Sequence, residues 1–349
     1  MSEQGMSERG EGFSVAIAGA TGAVGQAMLE ILEERNFPVR TLHLLASERS
    51  AGKRFQFHGK SHRVERLDQF DFTGVDIGLF SAGGSISAEY APKAAAAGCI
   101  VIDNTSQFRY DDEIPLVVPE VNAHALAGVR QRNIIANPNC STMQMVVALK
   151  PIHDRNPIRR ITVATYQAVS GAGASGVEEL ATQTTSLLNM RPIDVQVMAR
   201  QIAFNAVPHI DTFQDNGYTR EEMKMVWETA KIFEDDSIQV NPTCVRVPVF
   251  YGHSEAVHLE LTDPVDPADV IDWLQHAPGV SVADAADAYP TPVEHAAGTD
   301  PVFVGRIRRD LTLPNGLNLW VVADNVRKGA ALNTVQIAEA LLERGQLAP

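Results

Sequence analysis

Residues 13–34 read FSVAIAGATGAVGQAMLEILEE, and three patterns follow one another within them. From Phe13 to Ala20 the run is apolar without alternation, as a strand covered on both faces requires. Val24, Ala27, Met28, Ile31 and Leu32 then recur at three- and four-residue spacing, the stripe of an amphipathic helix. Between the two stand Gly19, Gly22 and Gly25. Small residues at a strand-to-helix corner let a pyrophosphate lie against backbone N–H groups at the helix N-terminus. The spacing G-x-x-G-x-x-G departs from G-x-G-x-x-G, and glycine turns also serve packing alone; the strand before and the helix after favour nucleotide binding. The alternation then resumes with VRTLHLLAS at 39–47, DIGLFSA at 76–82, the alanine-rich SAEYAPKAAAAG at 87–98 with Pro92 near its start, and CIVIDNT at 99–105. Strand, helix and strand in this order imply a parallel sheet with helices on both faces.

Past residue 157 the texture changes to longer β-branched runs, IRRITVATYQAVSG at 158–171, TCVRVPVFYG at 243–252 and EAVHLELT at 255–262, separated by long insertions. That is the pattern of an α+β domain with an antiparallel or mixed sheet. The stretch RKGAALNTVQIAEALLERG at 327–345 reads as one amphipathic helix. The expected class is therefore α/β, a Rossmann-like dinucleotide-binding domain over residues 13–140 followed by an α+β domain with a mixed sheet over 141–328 and a C-terminal helix over 329–349. Residues 1–12, polar and acidic where a signal peptide is basic and then apolar, are expected to be disordered. No apolar run reaches the roughly 18 residues of a membrane span, so a cytoplasmic protein is expected. With 43 acidic residues against 29 basic, the net charge of −14 argues against nucleic acid or an anionic membrane as partner. Cys99, Cys140 and Cys244 are few and far apart, which predicts free thiols in a reducing compartment.

The chemistry is read from four places. After the second strand, SERSAGK at 47–53 offers Ser47, Arg49, Ser50 and Lys53 to a ribose 2′-phosphate, with Glu48 dissenting; the balance favours NADP(H) over NAD(H). In NPNCST, 137–142, Pro138 and Asn139 make a turn and Ser141–Thr142 open a helix, so Cys140 lies at the helix N-cap or next to it. A thiol there is either packed or poised, because a helix N-terminus favours the thiolate. Its proton-transfer partner is expected to be His253 in YGHSEA, at a break between two strands. In YTREEMKMVWETAKIF, Thr219 and Glu222 form a capping box, and Glu221 and Lys224 lie one turn apart as a surface salt bridge or as site residues. Arg246, within CVRVPVF, is charged in a β-branched run and must pair with a carboxylate of the protein or of a ligand. Arg109 follows a strand end, where open α/β sheets bind ligands. No cysteine or histidine pair shows metal-ligand spacing, so no metal is expected.

Taken in order along the chain, GATGAVG, FSAGGSIS, VVPEVN, NPNCST, YQAVSGAG, FNAVPHID, REEMKMVWETAKI, CVRVPVFYGHSEAV and ADNVRKGAALN resemble the aspartate-semialdehyde dehydrogenase family over nearly the whole chain. The resemblance implies that Cys140 carries the acyl group and His253 is the acid/base. It implies substrate contacts at Gln167, Glu221 and Arg246, and phosphate contacts at Arg109, Asn139 and Lys224. Cofactor contacts would fall on Gly19, Thr21, Gly22, Ala23, Val24, Arg49, Ser50, Ser81, Gly83, Ser170, Gly171 and Asn325. The implied reaction is NADPH-dependent reductive dephosphorylation of L-4-aspartyl phosphate to L-aspartate 4-semialdehyde, toward lysine, threonine and methionine. The second domain would be catalytic and hold a dimer or tetramer together, and the C-terminal helix would pack back on the first. The alternative is another acyl-phosphate reductase of this architecture, of the N-acetyl-glutamyl-phosphate type, for which a carboxylate partner to a free α-amino group, such as Glu221, would have no use.

Overall fold

The structure, a computed structural model, describes residues 12–283, 285 and 287–347; the N-terminal segment expected to be disordered falls, up to residue 11, outside the described residues. In chain order the elements are β1 (Phe13–Ala18), α1 (Ala23–Glu34), β2 (Val39–Ala46), β3 (Arg54–Phe57), β4 (Lys60–Arg66), β5 (Ile77–Phe80), α2 (Gly84–Ala96), β6 (Ile100–Asp103), the one-turn α3 (Pro119–Asn122) and β7 (Ile134–Ala136). There follow α4 (Cys140–His153), β8 (Ile158–Gln167), α5 (Ala174–Leu188), α6 (Arg220–Phe233), β9 (Gln239–Arg246), β10 (His253–Leu261), α7 (Pro267–Gln275), β11 (Val280–Val282), β12 (Val302–Arg309), β13 (Gly316–Ala323) and α8 (Leu332–Glu343). They fall into two compact units, one of residues 1–119, 123–137 and 331–349, the other of 120–122 and 138–330.

The first unit is a seven-stranded sheet in the order β3-β4-β2-β1-β5-β6-β7. It is parallel except for the β3–β4 hairpin at its edge. All six residues of β1 are buried, which explains why the opening run shows no alternation. α1 turns Met28, Ile31 and Leu32 inward. α8 packs on α1, where Arg35 and Glu339 form an ion pair at 2.7 Å. From β1 the chain steps to β2 on one side and later to β5 on the other, so the carboxyl ends of β1 and β5 form the switch point of a doubly wound sheet. One local reading is corrected. α2 starts at Gly84, and Pro92 stands inside it rather than near its start. The carbonyl of Ala88, which the missing Pro92 N–H leaves free, is on an exposed residue, so solvent replaces the lost bond.

The second unit is a six-stranded mixed sheet, β11-β12-β13-β10-β8-β9, in which β8–β9 and β11–β12 run parallel and the other pairs antiparallel. Residues 253, 255, 257, 259 and 261 of β10 are buried while 256, 258 and 260 are partly exposed, so one face is covered and the other is half open. α4 covers the inner face: every residue from Ser141 to Leu149 is buried. Among the described residues no helix is long and apolar enough to cross a membrane.

Candidate active site

In the first unit the glycine corner is shaped by close backbone approach. A Cβ on Gly19, which has φ +90°, would stand 2.5 Å from the Ser81 carbonyl oxygen, and one on Gly25 would stand 2.3 Å from that of Gly19. No side chain caps α1, whose first turn, with Ala23 and Val24, carries no acidic residue. A bare helix N-terminus at a switch point fits the pyrophosphate of a dinucleotide. Thr21 Oγ1 lies 3.4 Å from Ser50 Oγ. Glu48, the dissenting residue, pairs with Arg66 at 2.7 Å, and the neighbouring Arg49 is exposed with no carboxylate partner among the described residues. Gly83, with φ +99°, precedes α2 in open space. Arg109 is buried and donates to the carbonyls of Thr105 (3.1 Å) and Asn104 (2.9 Å).

In the second unit Cys140 is the first residue of α4. Asn139 caps that helix, its Oδ1 accepting the N–H groups of Ser141 (3.0 Å) and Thr142 (3.3 Å). Its own N–H donates to Glu228 at 2.6 Å and its Nδ2 to Glu221 Oε1 at 2.9 Å. Asn139, expected at phosphate, thus has both ends of its side chain engaged in holding the turn. Gly329 backs Cys140: a Cβ there would lie 2.8 Å from the Cβ of Cys140.

α6 supplies the acidic wall. Its start is set by the capping box, in which Thr219 Oγ1 accepts from Glu222 N–H and Glu222 Oε2 from Thr219 N–H. Glu222 Oε1 also accepts from Cys244 N–H (3.0 Å), which ties α6 to β9. Glu221 therefore faces inward. It accepts from Asn139, from Gln167 (3.3 Å) and from Lys224 (2.9 Å), and Lys224 also meets Asp211 at 2.9 Å. The pair is buried, with side chains 7% and 12% exposed, so it is not the surface salt bridge that spacing alone allows. Burial alone would lift the Glu221 pKa, but Lys224, Asn139 and Arg246 outweigh it and hold the carboxylate below its ordinary value.

Because β8 and β9 run parallel and β10 antiparallel to them, Gln167, Arg246 and His253 arrive at one end of the inner face. Arg246 Nη1 donates to the Ala168 carbonyl at 2.7 Å, and among the described residues no carboxylate lies within ion-pair distance of its guanidinium. Burial lowers its pKa, against the pull of Glu221 and the Cys140 sulfur. His253 is fully buried, and its Nδ1 accepts the Ala168 N–H at 3.0 Å, which leaves the ring proton on Nε2. Nε2 is buried with no hydrogen-bond partner. Burial, with the Arg246 charge behind it, pulls this imidazole down to about 3. A Cβ on Gly171 would come within 2.8 Å of Arg246 Nη1 and 3.4 Å of His253 Nε2, so glycine keeps the space beside both open. Ser170 and Asn325 are hydrogen-bonded to each other at 3.0 Å. The other two thiols, Cys99 and Cys244, are buried, and burial raises the pKa of each, which disfavours the thiolate.

Sequence reasoning passed over Glu228 and Gly329. The seven-residue interval from Glu221 places Glu228 on the same face of α6 and could have marked it; nothing local marks Gly329. Among the described residues no group of three or more potential ligands could hold a metal ion.

A glycine corner that fits a dinucleotide in one unit, and a helix-capped cysteine with a buried histidine and arginine in the other, match an oxidoreductase of the semialdehyde dehydrogenase class. Two family models agree, the semialdehyde dehydrogenase NAD binding domain over residues 14–129 and the semialdehyde dehydrogenase dimerisation domain over 149–328. Aspartate-semialdehyde dehydrogenase 2 of Vibrio cholerae is 63% identical over 330 residues, covering 95% of this chain and 98% of its own. A crystal structure of aspartate semialdehyde dehydrogenase II from Vibrio cholerae, complexed with ASA, superposes with a TM-score of 0.94 at 62% identity over 96% of this chain and 99% of that one. The Candida albicans aspartate semialdehyde dehydrogenase, solved with NADP, gives a TM-score of 0.75 at 26% identity over 95% and 98%. The chain belongs to the aspartate-semialdehyde dehydrogenase family. Its dimerisation domain indicates a homo-oligomer.

Proposed function

We propose that the chain reduces L-4-aspartyl phosphate to L-aspartate 4-semialdehyde and inorganic phosphate with NADPH, through a thioester on Cys140. The observation that carries this reading is the convergence of Cys140 with a buried arginine and a buried imidazole N–H that, among the described residues, have respectively no carboxylate at ion-pair distance and no acceptor. Arg246 is then free to take the substrate α-carboxylate through its planar fork. Glu221, a buried carboxylate held ionised by its neighbours, would pair with the α-ammonium, which an N-acetylated substrate lacks. The Cys140 thiolate attacks the acyl carbon, the carbonyl electrons move to oxygen, and their return expels phosphate, whose charge Lys224 and Arg109 offset. The glycine corner would hold the pyrophosphate of the dinucleotide and Ser170, Gly171 and Asn325 its nicotinamide half, and the reduced cofactor would supply the hydride that the thioester needs. His253 Nε2–H is oriented to donate to the oxyanion in both steps. Collapse of the second oxyanion releases aldehyde and returns the thiolate; for His253 to act as a base the Ala168 contact must be given up.

The test is phosphate-dependent reduction of NADP+ with aspartate semialdehyde against the semialdehyde of N-acetylglutamate. Turnover confined to the second would replace the reading with its alternative. The preference for NADP+ rests on Arg49 and Ser50, with Glu48 turned to Arg66, and the Candida relative solved with NADP supports it. Arg49→Ala should raise the KM for NADP+ about ten- to a hundredfold, one charge-assisted contact, and leave NAD+ unchanged. Equal losses with both cofactors would refute the pairing.

A further inference from the structure

Two residues beyond His253 on β10 lies Glu255, which has no part in the chemistry above. Strand parity puts it on the same inward face as His253 and Val257, and it is fully buried. Across the sheet it faces Thr165 on β8 and Val321 on β13, and beyond Thr165 lies Cys244 on β9. Gln144 approaches it from α4. By hydrogen-bond geometry neither carboxyl oxygen has a partner among the described residues, although Gln144 comes near enough to favour the ionised form in part against the burial that opposes it. Among the described residues, the charged and titratable groups on the elements beside it include His253 on its own strand, Cys244 and Arg246 on β9 and Glu221 on α6; Cys244 interacts with both Glu221 and Glu255, and Arg246 stands in the neighbouring row, beside Gln167 rather than Thr165. A buried carboxyl without a cation keeps its proton, because ionisation there has nothing to replace hydration. Burial accordingly pushes Glu255 well above the ordinary carboxylic range.

The proton changes what the carboxyl can do. Gln144 lies one helical turn after Cys140, and its Nε2 donates to the His253 carbonyl at 3.4 Å, so its amide bridges the helix of the nucleophile and the strand of the histidine. Its Oε1 is buried and lacks a donor. We propose that Glu255 is a positioning residue, an uncharged carboxylic acid whose O–H donates to Gln144 Oε1 so that Gln144 holds the His253 backbone in register with Cys140. This rests on the reading of Cys140 and His253 as the reacting pair.

Two variants and one spectrum test it. Glu255→Gln offers an N–H in place of the O–H and should keep kcat within about twofold. Glu255→Leu offers no donor and should lower kcat about tenfold through misplacement, with the KM values for semialdehyde, phosphate and NADP+ little changed because no ligand is touched. The infrared spectrum of the wild type should show the carbonyl stretch of a protonated carboxylic acid at pH 7 and still at pH 9, and Glu255→Gln should lack it. A glutamine variant as impaired as the leucine variant would mean that a charge is required, and would overturn the proposal. So would absence of the band at pH 7, or a leucine variant with wild-type kcat. If the leucine variant does not fold, the glutamine variant and the band still decide. The band is read without turnover, so failure of the functional reading leaves it standing, whereas failure of this proposal leaves wild-type turnover intact.

Discussion

Arg246 and Lys224 carry the same charge in opposite circumstances. Lys224 is neutralised by Glu221 and Asp211, while the Arg246 guanidinium donates to a backbone carbonyl and has no ion-pair partner among the described residues. Arg246→Lys removes the fork that would grip a carboxylate; misplacement of the carbonyl by about 1 Å can cost about a hundredfold, so kcat and semialdehyde affinity should fall by up to that factor with the KM for phosphate little changed. A variant that melts several degrees lower and keeps its kinetics would make Arg246 a structural residue instead. His253 yields a pH prediction. Its folded pKa is about 3 against an ordinary 6.5, so between those values the unfolded chain binds a proton that the folded chain refuses, and stability falls as pH falls through that window. His253→Gln, which keeps an acceptor for the Ala168 N–H, should flatten the profile by up to about 1.4 kcal/mol per pH unit, one proton, when unfolding free energies are compared from pH 7 to pH 4. Unchanged slopes would show that His253 is protonated in the folded state. Spacing alone revealed that Glu221 and Lys224 share a face, but not that the face is buried, because burial is decided by β8 and β9, far along the chain.

At the scale of elements, four of the candidate site residues stand at an end of a strand or helix. The ends of β8 and β9, the start of β10 and the start of α4 carry Gln167, Arg246, His253 and Cys140. These elements were legible because each has a local cause: an unbroken apolar run for β1, a capping box for α6, an asparagine cap for α4. Glu255 was legible in principle, since alternation along β10 gives it the parity of His253, Val257 and Leu259, yet a glutamate in a polar-looking HSE triplet gives no reason to count. Gly329 had no such signal, because the steric limit that selects glycine comes from Cys140 in a distant element. Gly329→Ala would press a methyl group against Cys140 at 2.8 Å and shift the first turn of α4. We expect a kcat reduced about tenfold or more and slower alkylation of Cys140 by iodoacetamide. Alkylation at the wild-type rate would show that α8 and the turn before it yield instead.

Over the whole chain, the pattern of residues gave the class of each sheet but not strand order, since pairing is set by contacts far apart in sequence. In the second unit the consequence of that order is a half-open outer face. Ala256 lies between Ala164 on β8 and Trp320 on β13, and Tyr166, 40% exposed, stacks toward Trp320 with ring centroids 5.6 Å apart. Tyr289, Pro290 and Pro292 border the same hollow, whose mostly apolar lining also includes Arg306 and Arg308, and the Trp320 Nε1–H donates to the Pro290 carbonyl at 2.9 Å. Apolar side chains grouped on one sheet face are what a self-complementary subunit contact uses, and the matched dimerisation domain spans all of these strands. Ala256 is the position to probe, because it is partly exposed, sits at mid-strand and bears no side-chain hydrogen bond, whereas removing Trp320 would also release the 289–292 turn. Ala256→Arg places a charge at the centre of that face without touching the inward row of His253 and Glu255. The mass measured by light scattering at micromolar concentration should fall to that of one chain, 37.9 kDa. An Ala256→Arg protein that keeps its oligomeric mass would move the subunit contact off this face, onto another surface of residues 149–328.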